Sequence, residues 1–409
     1  MKTVKGRYKL DSSAIIHLAS RNDSYTNSFR IAITLQEKIC PKTLQEALDH
    51  VTPRFPTIMA GIRKRAFTYD IVPVAQPPRV EEDRECLFPM SKERLETCAT
   101  WVGYGEKHIC VEIFHSITDG SGGKVFISSL VAEDLSIRYG IQISYSDKVL
   151  NPEEAVQEGE LRDDYITYAG KKAIPANHAA VYQIPGDNHH NQEGYVISRE
   201  FETKALLEAA HQYGTSLTTY LTAVMVDTIL QIQRQHSAEE PIQIMVPVNL
   251  RNKFESNTLY NFSLYALPRI EPTVGEVSLE ELIRNLSEQL KVQLSVENLQ
   301  GMMAMNLKSQ NIGIFKILPL PIKMALLRMI YRFYGERNSC ISVSNFGEMV
   351  FPKEMKDYIK GVECMLTPRR NAPYNCSLIS YNGIVRINIT RRGNGCGLEE
   401  VFFHKLVKF

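Results

Sequence analysis

His115 is the residue whose type and surroundings most clearly suggest chemistry. It follows an alternating apolar segment at 109–113 and opens the stretch HSITDGSGG. Asp119 lies four residues further on, and Gly120 comes directly after it. A neutral imidazole, with a pKa of about 6.5, can take the proton of an attacking hydroxyl or amine at neutral pH. His115 is therefore the candidate general base, and the alternative is an ordinary histidine at the end of a strand.

Periodic patterns predict the elements that carry these residues. Thr43 and Glu46 have the spacing of a capping box, and Gly140 has the position of a helix C-cap. Asn382-Gly383 predicts a tight hairpin between two β-rich segments. The predicted strands are 29–35, 109–113, 242–246 and 341–343. The predicted helices lie between Pro41 and Pro53, at 124–139, 203–213 and 217–233, from Ser278 onward, and at 322–334.

Three further segments place polar residues near predicted strands. Residues 247–251 read PVNLR, and residues 344–347 read SNFG. Near the start, residues 28–62 combine a strand and a helix with Arg54-Phe55-Pro56. Each half of the chain thus mixes strands with helices, and its strands lead into loops with polar side chains. This pattern predicts an α/β protein with two lobes of similar size.

In chain order, these four segments resemble the His-x-x-x-Asp-Gly superfamily of acyltransferases. The superfamily includes chloramphenicol acetyltransferase, plant BAHD acyltransferases, condensation domains and alcohol acetyltransferases. The resemblance covers essentially the whole chain, and the His115 motif is its most specific part. It implies two chloramphenicol-acetyltransferase-like lobes, each a mixed β-sheet with packed helices, with an active-site channel between them. The alcohol acetyltransferase branch fits the length best.

The resemblance also implies a reaction. His115 would act as general base while an acetyl or longer acyl group moves from acyl-coenzyme A to an alcohol hydroxyl, without a covalent intermediate. Coenzyme A would be a co-substrate, and neither a permanently bound cofactor nor a metal is expected. Asp119 would be structural, paired with Arg251 of the other lobe, and Gly120 would permit a tight turn. Ser344, Asn345 and backbone N–H groups near Gly347 are candidates for binding the oxyanion.

Two departures from the superfamily pattern leave alternatives open. Phe114 stands where many members have a first histidine, and Asn345 stands where the plant enzymes have an acid. The same fold could use a donor bound to a carrier protein, or an amine as acceptor. It could also be a catalytically silent scaffold, although His115 and its motif argue against that.

Composition sets the outer bounds. The 409 residues carry 47 basic and 46 acidic side chains, a balance that argues against a nucleic-acid-binding function. We predict an N-terminal lobe at 1–185 and a C-terminal lobe at 186–409, joined by an acidic crossover at about 147–194. No secretory signal or apolar run of about 20 residues is present. The eight cysteines are dispersed as core thiols usually are, and a cytoplasmic location is expected.

Three weaker signals have simpler interpretations. His189-His190 with Asp187 could bind a metal, but solvated surface is favoured. The helix at 322–334 has a basic side that could touch a membrane, but an ordinary amphipathic surface helix is favoured. The pairs Arg369-Arg370 and Arg391-Arg392 could meet coenzyme A phosphates, and solvated charge is favoured.

Overall fold

The computed structural model describes most of the chain. The described residues are 6–22, 25, 27–84, 87, 89–174, 180–186, 194–236, 238–272, 275–310, 317–335, 337–369 and 372–407, with the backbone alone at 310, 333 and 334. Among them, no helix is long and apolar enough to cross a bilayer.

Helices and strands alternate along both halves. The helices are α1 (Ala14–Ser20), α2 (Pro41–Val51), α3 (Lys92–Thr97), α4 (Gly120–Tyr139), α5 (Asp164–Tyr168), α6 (Thr203–Gln212), α7 (Leu217–Gln235), α8 (Arg251–Phe254), α9 (Leu279–Gln293), α10 (Val296–Gln310), α11 (Leu320–Ile330) and α12 (Leu398–Val407). The strands are β1 (Tyr8–Lys9), β2 (Ser28–Leu35), β3 (Ala60–Lys64), β4 (Tyr69–Pro73), β5 (Glu81–Glu82), β6 (Thr100–Tyr104), β7 (His108–Phe114), β8 (Gly194–Glu202), β9 (Ile242–Asn249), β10 (Ser263–Ala266), β11 (Arg269–Ile270), β12 (Ile341–Glu348), β13 (Ile359–Leu366), β14 (Tyr374–Tyr381) and β15 (Ile384–Arg392).

The first large sheet carries the His115 motif. Its strand order is β13-β2-β7-β6-β5, and β2 and β7 are antiparallel, with Phe29 opposite Ile113. α2 and α4 pack together on this sheet. Their buried side chains include Leu44, Leu48 and Phe126, which belong to one apolar core with the sheet. The predicted strands of the first half are thus present, and they hold the motif at the end of β7.

The second large sheet is mixed. Its order is β10-β9-β12-β14-β15-β8, with β11 also paired to β9. β12 runs parallel to β9 and β14, whereas β14 and β15 form an antiparallel hairpin. Asn382 and Gly383 have φ angles of 48° and 78° at the turn. Positive φ at both turn positions is what a two-residue hairpin of this kind requires, so the predicted hairpin is confirmed.

β13 joins the two sheets, a feature that the sequence patterns did not predict. It lies in the second half of the chain but pairs antiparallel with β2, from Ile359 opposite Leu35 to Leu366 opposite Phe29. Side chains of the second sheet bind its backbone: Asn388 Nδ2 donates to the Cys364 carbonyl at 2.7 Å, and Ser377 Oγ to the same carbonyl at 2.8 Å. The mixed α/β class with packed helices is confirmed. The boundary between 185 and 186 stays a prediction.

The predicted crossover holds short structure of its own. Glu158–Leu161 forms a 3-10 turn and α5 follows it. Glu160 makes a two-point ion pair with buried Arg54, at 2.6 and 2.7 Å, and its carbonyl accepts a hydrogen bond from Leu259 N at 2.8 Å. The crossover therefore fixes the loop before Asn261, which reaches the candidate site.

Two local predictions were wrong. Thr43 does not form a capping box: its hydroxyl donates to the Cys40 carbonyl and to Asp134 Oδ1, and Cys40 is the N-cap of α2 without a side-chain bond. The SNFG stretch does not follow a strand but lies within β12, where the pairing with β14 is irregular between Asn345 and Glu348. Gly347, with φ of 72°, supplies the left-handed conformation of this bulge.

Candidate active site

His115 stands directly after β7, where the antiparallel pairing with β2 ends. Its backbone N–H donates to the Asn27 carbonyl at 3.1 Å, just before β2 begins. Asn27 has a φ of 52°, a left-handed conformation that asparagine tolerates better than most residues. The histidine side chain is partly accessible. The end of the sheet therefore presents the imidazole at a fixed backbone position.

Asn261 determines which nitrogen of His115 carries the proton. His115 Nδ1 lies 3.0 Å from Asn261 Oδ1, and Asn261 Nδ2 donates to Asp11 Oδ2 at 2.8 Å. Because Asn261 turns its amide group toward Asp11, it presents an acceptor to the imidazole, and Nδ1 must donate. A neutral His115 then keeps a lone pair on Nε2. This is the protonation state that a general base needs.

Asp11 is held at the start of α1. Its Oδ1 accepts hydrogen bonds from Ser13 N, Ser13 Oγ and Ala14 N, at 2.6 to 2.9 Å. Burial and the nearby Asp163 raise the pKa of Asp11 to about 7, although its hydrogen bonds oppose the shift. The carboxyl group is thus fixed in place on the side of Asn261 that faces away from His115.

A second histidine, His17 of α1, stacks on His115. The two ring centroids are 4.3 Å apart and the ring planes differ by 16°. His17 Nδ1 lies 2.7 Å from Asn27 Nδ2, which is a donor, so the proton of neutral His17 is on Nε2. On another side, the ring of Phe29 packs edge-on against His115 at 5.3 Å. These contacts restrict the rotation of the His115 ring.

Burial favours the neutral form of both histidines. Burial lowers the pKa of His115 below its usual 6.5, and Asp119 and Asn261 offset this only in part. Burial and then the neighbouring His115 hold the pKa of His17 well below 6.5. A lowered pKa keeps the Nε2 lone pair of His115 available at neutral pH.

Asp119 points away from His115 and caps α4. Its Oδ1 accepts from Ser121 N and Gly122 N, and its Oδ2 accepts from Phe262 N at 2.8 Å. Arg251 Nη1 donates to the same Oδ2 at 2.8 Å, so the structure brings together the pair that the resemblance implies. Burial raises the pKa of Asp119, but Arg251 and these hydrogen bonds outweigh it and the net shift is downward.

Arg251 also fixes the loop at residues 258–260. Its Nε donates to the Thr258 carbonyl at 2.9 Å and its Nη2 to the Tyr260 carbonyl at 2.6 Å. The next residue, Asn261, contacts His115. The ion pair of Asp119 and Arg251 therefore holds both the loop after His115 and the loop that orients its imidazole.

Gly120 is needed for a close contact and not for a tight turn, which corrects the prediction. Its φ is not in the left-handed region, and it is the first residue of α4. A Cβ at this position would lie 2.6 Å from Cε1 of Phe346. Phe346 in turn packs near Phe29, with 6.4 Å between ring centroids. Gly120 thus lets β12 approach the His115 motif.

The other residues of the SNFG stretch are placed as follows. Ser344 is buried in β12, opposite Ser377 of β14. Asn345 is exposed; its Nδ2 donates to Thr218 Oγ1 at 2.9 Å, and its Oδ1 accepts from Gly347 N at 2.8 Å. Phe346 connects the stretch to the His115 loop, and its carbonyl accepts a hydrogen bond from Lys124 of α4. The oxyanion role of Ser344 and Asn345 stays a prediction.

Sequence reasoning missed Asn261, Asp11, His17 and Lys124. Asp11 had one visible signal, since an Asp followed by two serines before a helix is typical of an N-terminal cap. Asn261 lies within an otherwise apolar stretch at 259–262, which is a weak sign of a buried polar contact. Nothing in the sequence near His17 indicated its contact with His115.

The first arginine of each pair, Arg369 and Arg391, has a partner within the protein. Arg369 is buried and donates to Ser339 Oγ at 2.7 Å, and Arg391 pairs with Glu399 at 2.7 Å. Neither guanidinium group is therefore a solvated charge. His189, His190 and Asp187, like Arg370, lie outside the described residues.

One described group of side chains has metal-ligating types close together: Asp83, His108 and Cys110. Arg30 donates to both oxygens of Asp83 at 2.8 and 3.0 Å, and His108 Nε2 lies 2.8 Å from Asp83 Oδ2. Burial raises the pKa of the Cys110 thiol. A guanidinium beside the carboxylate and a protonated thiol disfavour a cation, so we interpret this group as a buried ion-pair network.

A cavity of about 620 Å³ lies between α9 and the β9–β11 edge, lined by residues such as Arg269, Gln289 and Gln293. None of the residues around His115 lines it. Gln289 and Gln293 bind the backbone of Arg269 and Leu267, so their amides stabilise the edge strands. We therefore place the candidate active site at His115 and not in this cavity.

The fold defines a structural class. No model of a known protein family matches the chain, and no curated protein sequence matches it. Among solved structures, the trichothecene 15-O-acetyltransferase from Fusarium sporotrichioides is similar over 100% of this chain and 95% of its own, with a TM-score of 0.62 and 12% identity. The chain has the two-lobed α/β fold of condensation domains and acyltransferases, as the sequence resemblance implied.

Two other similar structures show the range of this fold. Polyketide synthase associated protein 5 from Mycobacterium tuberculosis matches 97% of this chain and 96% of its own, with a TM-score of 0.56 and 14% identity. The starter condensation domain of rhizomide synthetase, solved in complex with C8-CoA and Leu-SNAC, matches 99% of this chain and 93% of its own, with a TM-score of 0.58 and 12% identity. At these identities the likeness is one of fold.

Proposed function

We propose that the protein is an acyltransferase that moves an acetyl or longer acyl group from coenzyme A to the hydroxyl of a small alcohol. The observation that carries the proposal is the contact at His115: Nδ1 is bound to Asn261 Oδ1, and this leaves the Nε2 lone pair for catalysis. The acyltransferase-type fold supports it. One similar structure was solved with an acyl-coenzyme A, which makes the donor chemically reasonable here.

In the proposed reaction, the acceptor hydroxyl is the nucleophile and its proton is carried by His115. The acceptor hydroxyl attacks the thioester carbonyl carbon while Nε2 of His115 takes the hydroxyl proton. The C–S bond of the tetrahedral intermediate then breaks, and the imidazolium returns the proton to the thiolate. The products are an ester and free coenzyme A thiol. The thioester is already activated, so His115 need not form a covalent bond with the acyl group.

The oxyanion of the intermediate needs hydrogen-bond donors. Ser344, the Asn345 amide and backbone N–H groups near Gly347 are the proposed donors, because Phe346 connects this stretch to Gly120 and the His115 loop. Asp119 and Arg251 are proposed as positioning residues. The carboxylate of Asp119 and the guanidinium of Arg251 bind each other and hold nearby loops, so neither group is available for the reaction.

A panel of donors and acceptors tests the proposed function. Release of free thiol is followed from acetyl-, octanoyl- and palmitoyl-coenzyme A, each with alcohols and amines, and products are identified by mass spectrometry. We expect release that depends on an alcohol and yields the matching ester. Amide products would show that the acceptor is an amine and not an alcohol. No acceptor-dependent release from any coenzyme A thioester would contradict the proposal.

The second candidate function uses a donor bound to a carrier protein. Its support is the likeness to condensation domains and to a polyketide synthase associated protein. Repeating the panel with acyl groups on a phosphopantetheine carrier protein separates the two. Transfer from the carrier without transfer from coenzyme A would favour this candidate, whereas inactivity with both donors would favour a silent scaffold.

A further inference from the structure

α11 exposes the apolar side that an ordinary amphipathic helix would bury. Ile322, Met329 and Ile330 are 55%, 50% and 39% exposed. Met329 and Ile330 follow Ile322 by seven and eight residues, about two helical turns, so the three share one side. Leu320 and Met324 are the buried residues of this helix. The prediction of an ordinary amphipathic surface helix is therefore wrong, because the apolar side that it expected to be buried is exposed.

The β3–β4 hairpin adds an aromatic side chain beside this helix. Phe67, in the turn of the hairpin, is 51% exposed. The turn is bound to the start of α11: Leu320 N donates to the Ala66 carbonyl at 2.9 Å, and Lys323 Nζ donates to the Phe67 carbonyl at 2.9 Å. Phe67 and the exposed side of α11 thus belong to one surface.

Basic residues lie on the same two segments as these apolar side chains. Arg63, Lys64, Arg328 and Arg332 are exposed on the same two segments. Residues 60–73 hold three basic side chains and one acid, Asp70, which pairs with Arg65, and residues 317–335 hold three basic side chains and no acid. The whole chain has a net charge of only +1, so positive charge is concentrated here. We name Phe67, Ile322, Met329 and Ile330, with Arg328 and Arg332 on the exposed part of α11 and directly after it, the docking face.

We propose that the docking face binds the surface of a lipid bilayer that contains anionic lipids. Aromatic and aliphatic side chains that enter the boundary of headgroups and acyl chains, with Lys and Arg beside them, are the features of interfacial membrane binding. An acidic protein would match the charge alone, whereas a bilayer matches both the charge and the exposed apolar groups. The proposal does not depend on the proposed reaction.

The position of the docking face gives it a further consequence. α11 packs against α1, and His17 of α1 stacks on His115. The surface that would lie on the bilayer is thus one helix away from the candidate active site. Under the proposed function, this arrangement favours acyl chains or acceptors that partition into lipid.

Vesicle co-sedimentation with the full chain tests the proposal. The vesicles are phosphatidylcholine alone, or phosphatidylcholine mixed with phosphatidylglycerol. We expect binding to the mixed vesicles that weakens as salt rises. The double variant Arg328→Glu/Arg332→Glu should lower the partition constant at least about tenfold. Phe67→Ser/Met329→Ser should also lower the partition constant, at low salt and at high salt.

Lys356→Glu/Lys360→Glu is the matched control, because it changes the net charge equally at two exposed residues elsewhere, Lys356 just before β13 and Lys360 within it. It should bind vesicles as the wild type does, and circular dichroism should show that all variants are folded. Absence of wild-type binding to anionic vesicles, or an equal loss in the control, would overturn the proposal. The proposal would also be overturned if the wild type does not bind vesicles but forms a dimer, measured by light scattering, that Arg328→Glu/Arg332→Glu separates.

Discussion

At the scale of single residues, the two ring nitrogens of His115 have different surroundings. Nδ1 faces Asn261 Oδ1, whereas the ring is stacked on His17 and remains partly accessible. Asn261 is itself oriented by Asp11, so two side chains from distant parts of the chain determine the tautomer of His115. A fixed tautomer gives His115 a lone pair at Nε2 before any substrate binds.

Asn261→Leu tests this orientation. The variant removes the acceptor for Nδ1–H, so the ring loses its preferred tautomer. We expect kcat to fall by about tenfold to a hundredfold while KM changes little, because the base and not substrate binding is affected. In the wild type, ¹⁵N spectra of the histidine rings should show His115 protonated at Nδ1. Wild-type spectra with the proton at Nε2 would contradict the assignment.

His115 was predicted from its local motif, and the pair of Asp119 and Arg251 from the family resemblance that this motif carries. The sequence could not predict Asn261 or Asp11, since their contacts join residues 146 and 250 positions apart. A polar side chain with such distant partners leaves no periodic pattern. The sequence also could not predict why a glycine is required at position 120, because the ring of Phe346 that occupies the space comes from another sheet.

At the scale of elements, the start of α4 connects the motif to the second lobe. Asp119 caps the helix and pairs with Arg251, and both side chains are nearly inaccessible. Removing the carboxylate would leave a buried guanidinium without its partner, as well as free N–H groups at the helix start.

We expect Asp119→Ala to lower the free energy of unfolding by about 3–5 kcal/mol, measured by urea denaturation. Asp119→Asn should cost less because it keeps a cap for Ser121 and Gly122. Asp147→Ala, an exposed acid with a side chain 75% accessible, is the control and should be near neutral. A strong loss of activity with unchanged stability in Asp119→Ala would show that this residue is catalytic and not structural.

His50 connects α2, α4 and the turn after residue 150. The hydrogen bond to Glu133 is the largest cause of its raised pKa, and Glu153 adds to it, each oxygen lying 2.5 Å from a ring nitrogen. Because the folded pKa lies above the usual 6.5, the stabilisation is complete below that pH and is lost as pH rises through the folded pKa. His50→Gln should therefore lower Tm more at pH 6 than at pH 9.

The control for His50 is His211→Gln, at an exposed position on α6. Its Tm difference from the wild type should not follow this pattern. A His50→Gln difference that is equal at both pH values would contradict the ion-pair interpretation.

At the scale of the whole molecule, β13 makes the two sheets interdependent. It extends the first sheet while Asn388, Ser377 and Thr390 of the second sheet bind its carbonyl groups. The strands and helices that periodicity predicted are present in the structure, but periodicity contains no information on which strands are neighbours. The crossing of β13 follows from long-range packing, so it could only be found in the structure.

Asn388→Ala tests this connection. Asn388 is fully buried, and its loss would leave the Cys364 carbonyl without that donor. We expect a decrease of about 1–3 kcal/mol in the free energy of unfolding, measured by urea denaturation. Asn285→Ala, an exposed asparagine on α9, should change stability little. Equal effects of the two variants would contradict the role assigned to the β13 contacts.

The rate of acyl transfer in His115→Ala tests the central claim most directly. With the donor and acceptor found in the panel, single-turnover thiol release is measured for the wild type, His115→Ala and the surface control His211→Ala. We predict a decrease of at least about a hundredfold in His115→Ala alone, as expected for the loss of a general base. An unchanged rate in a folded His115→Ala protein would show that His115 is not the base.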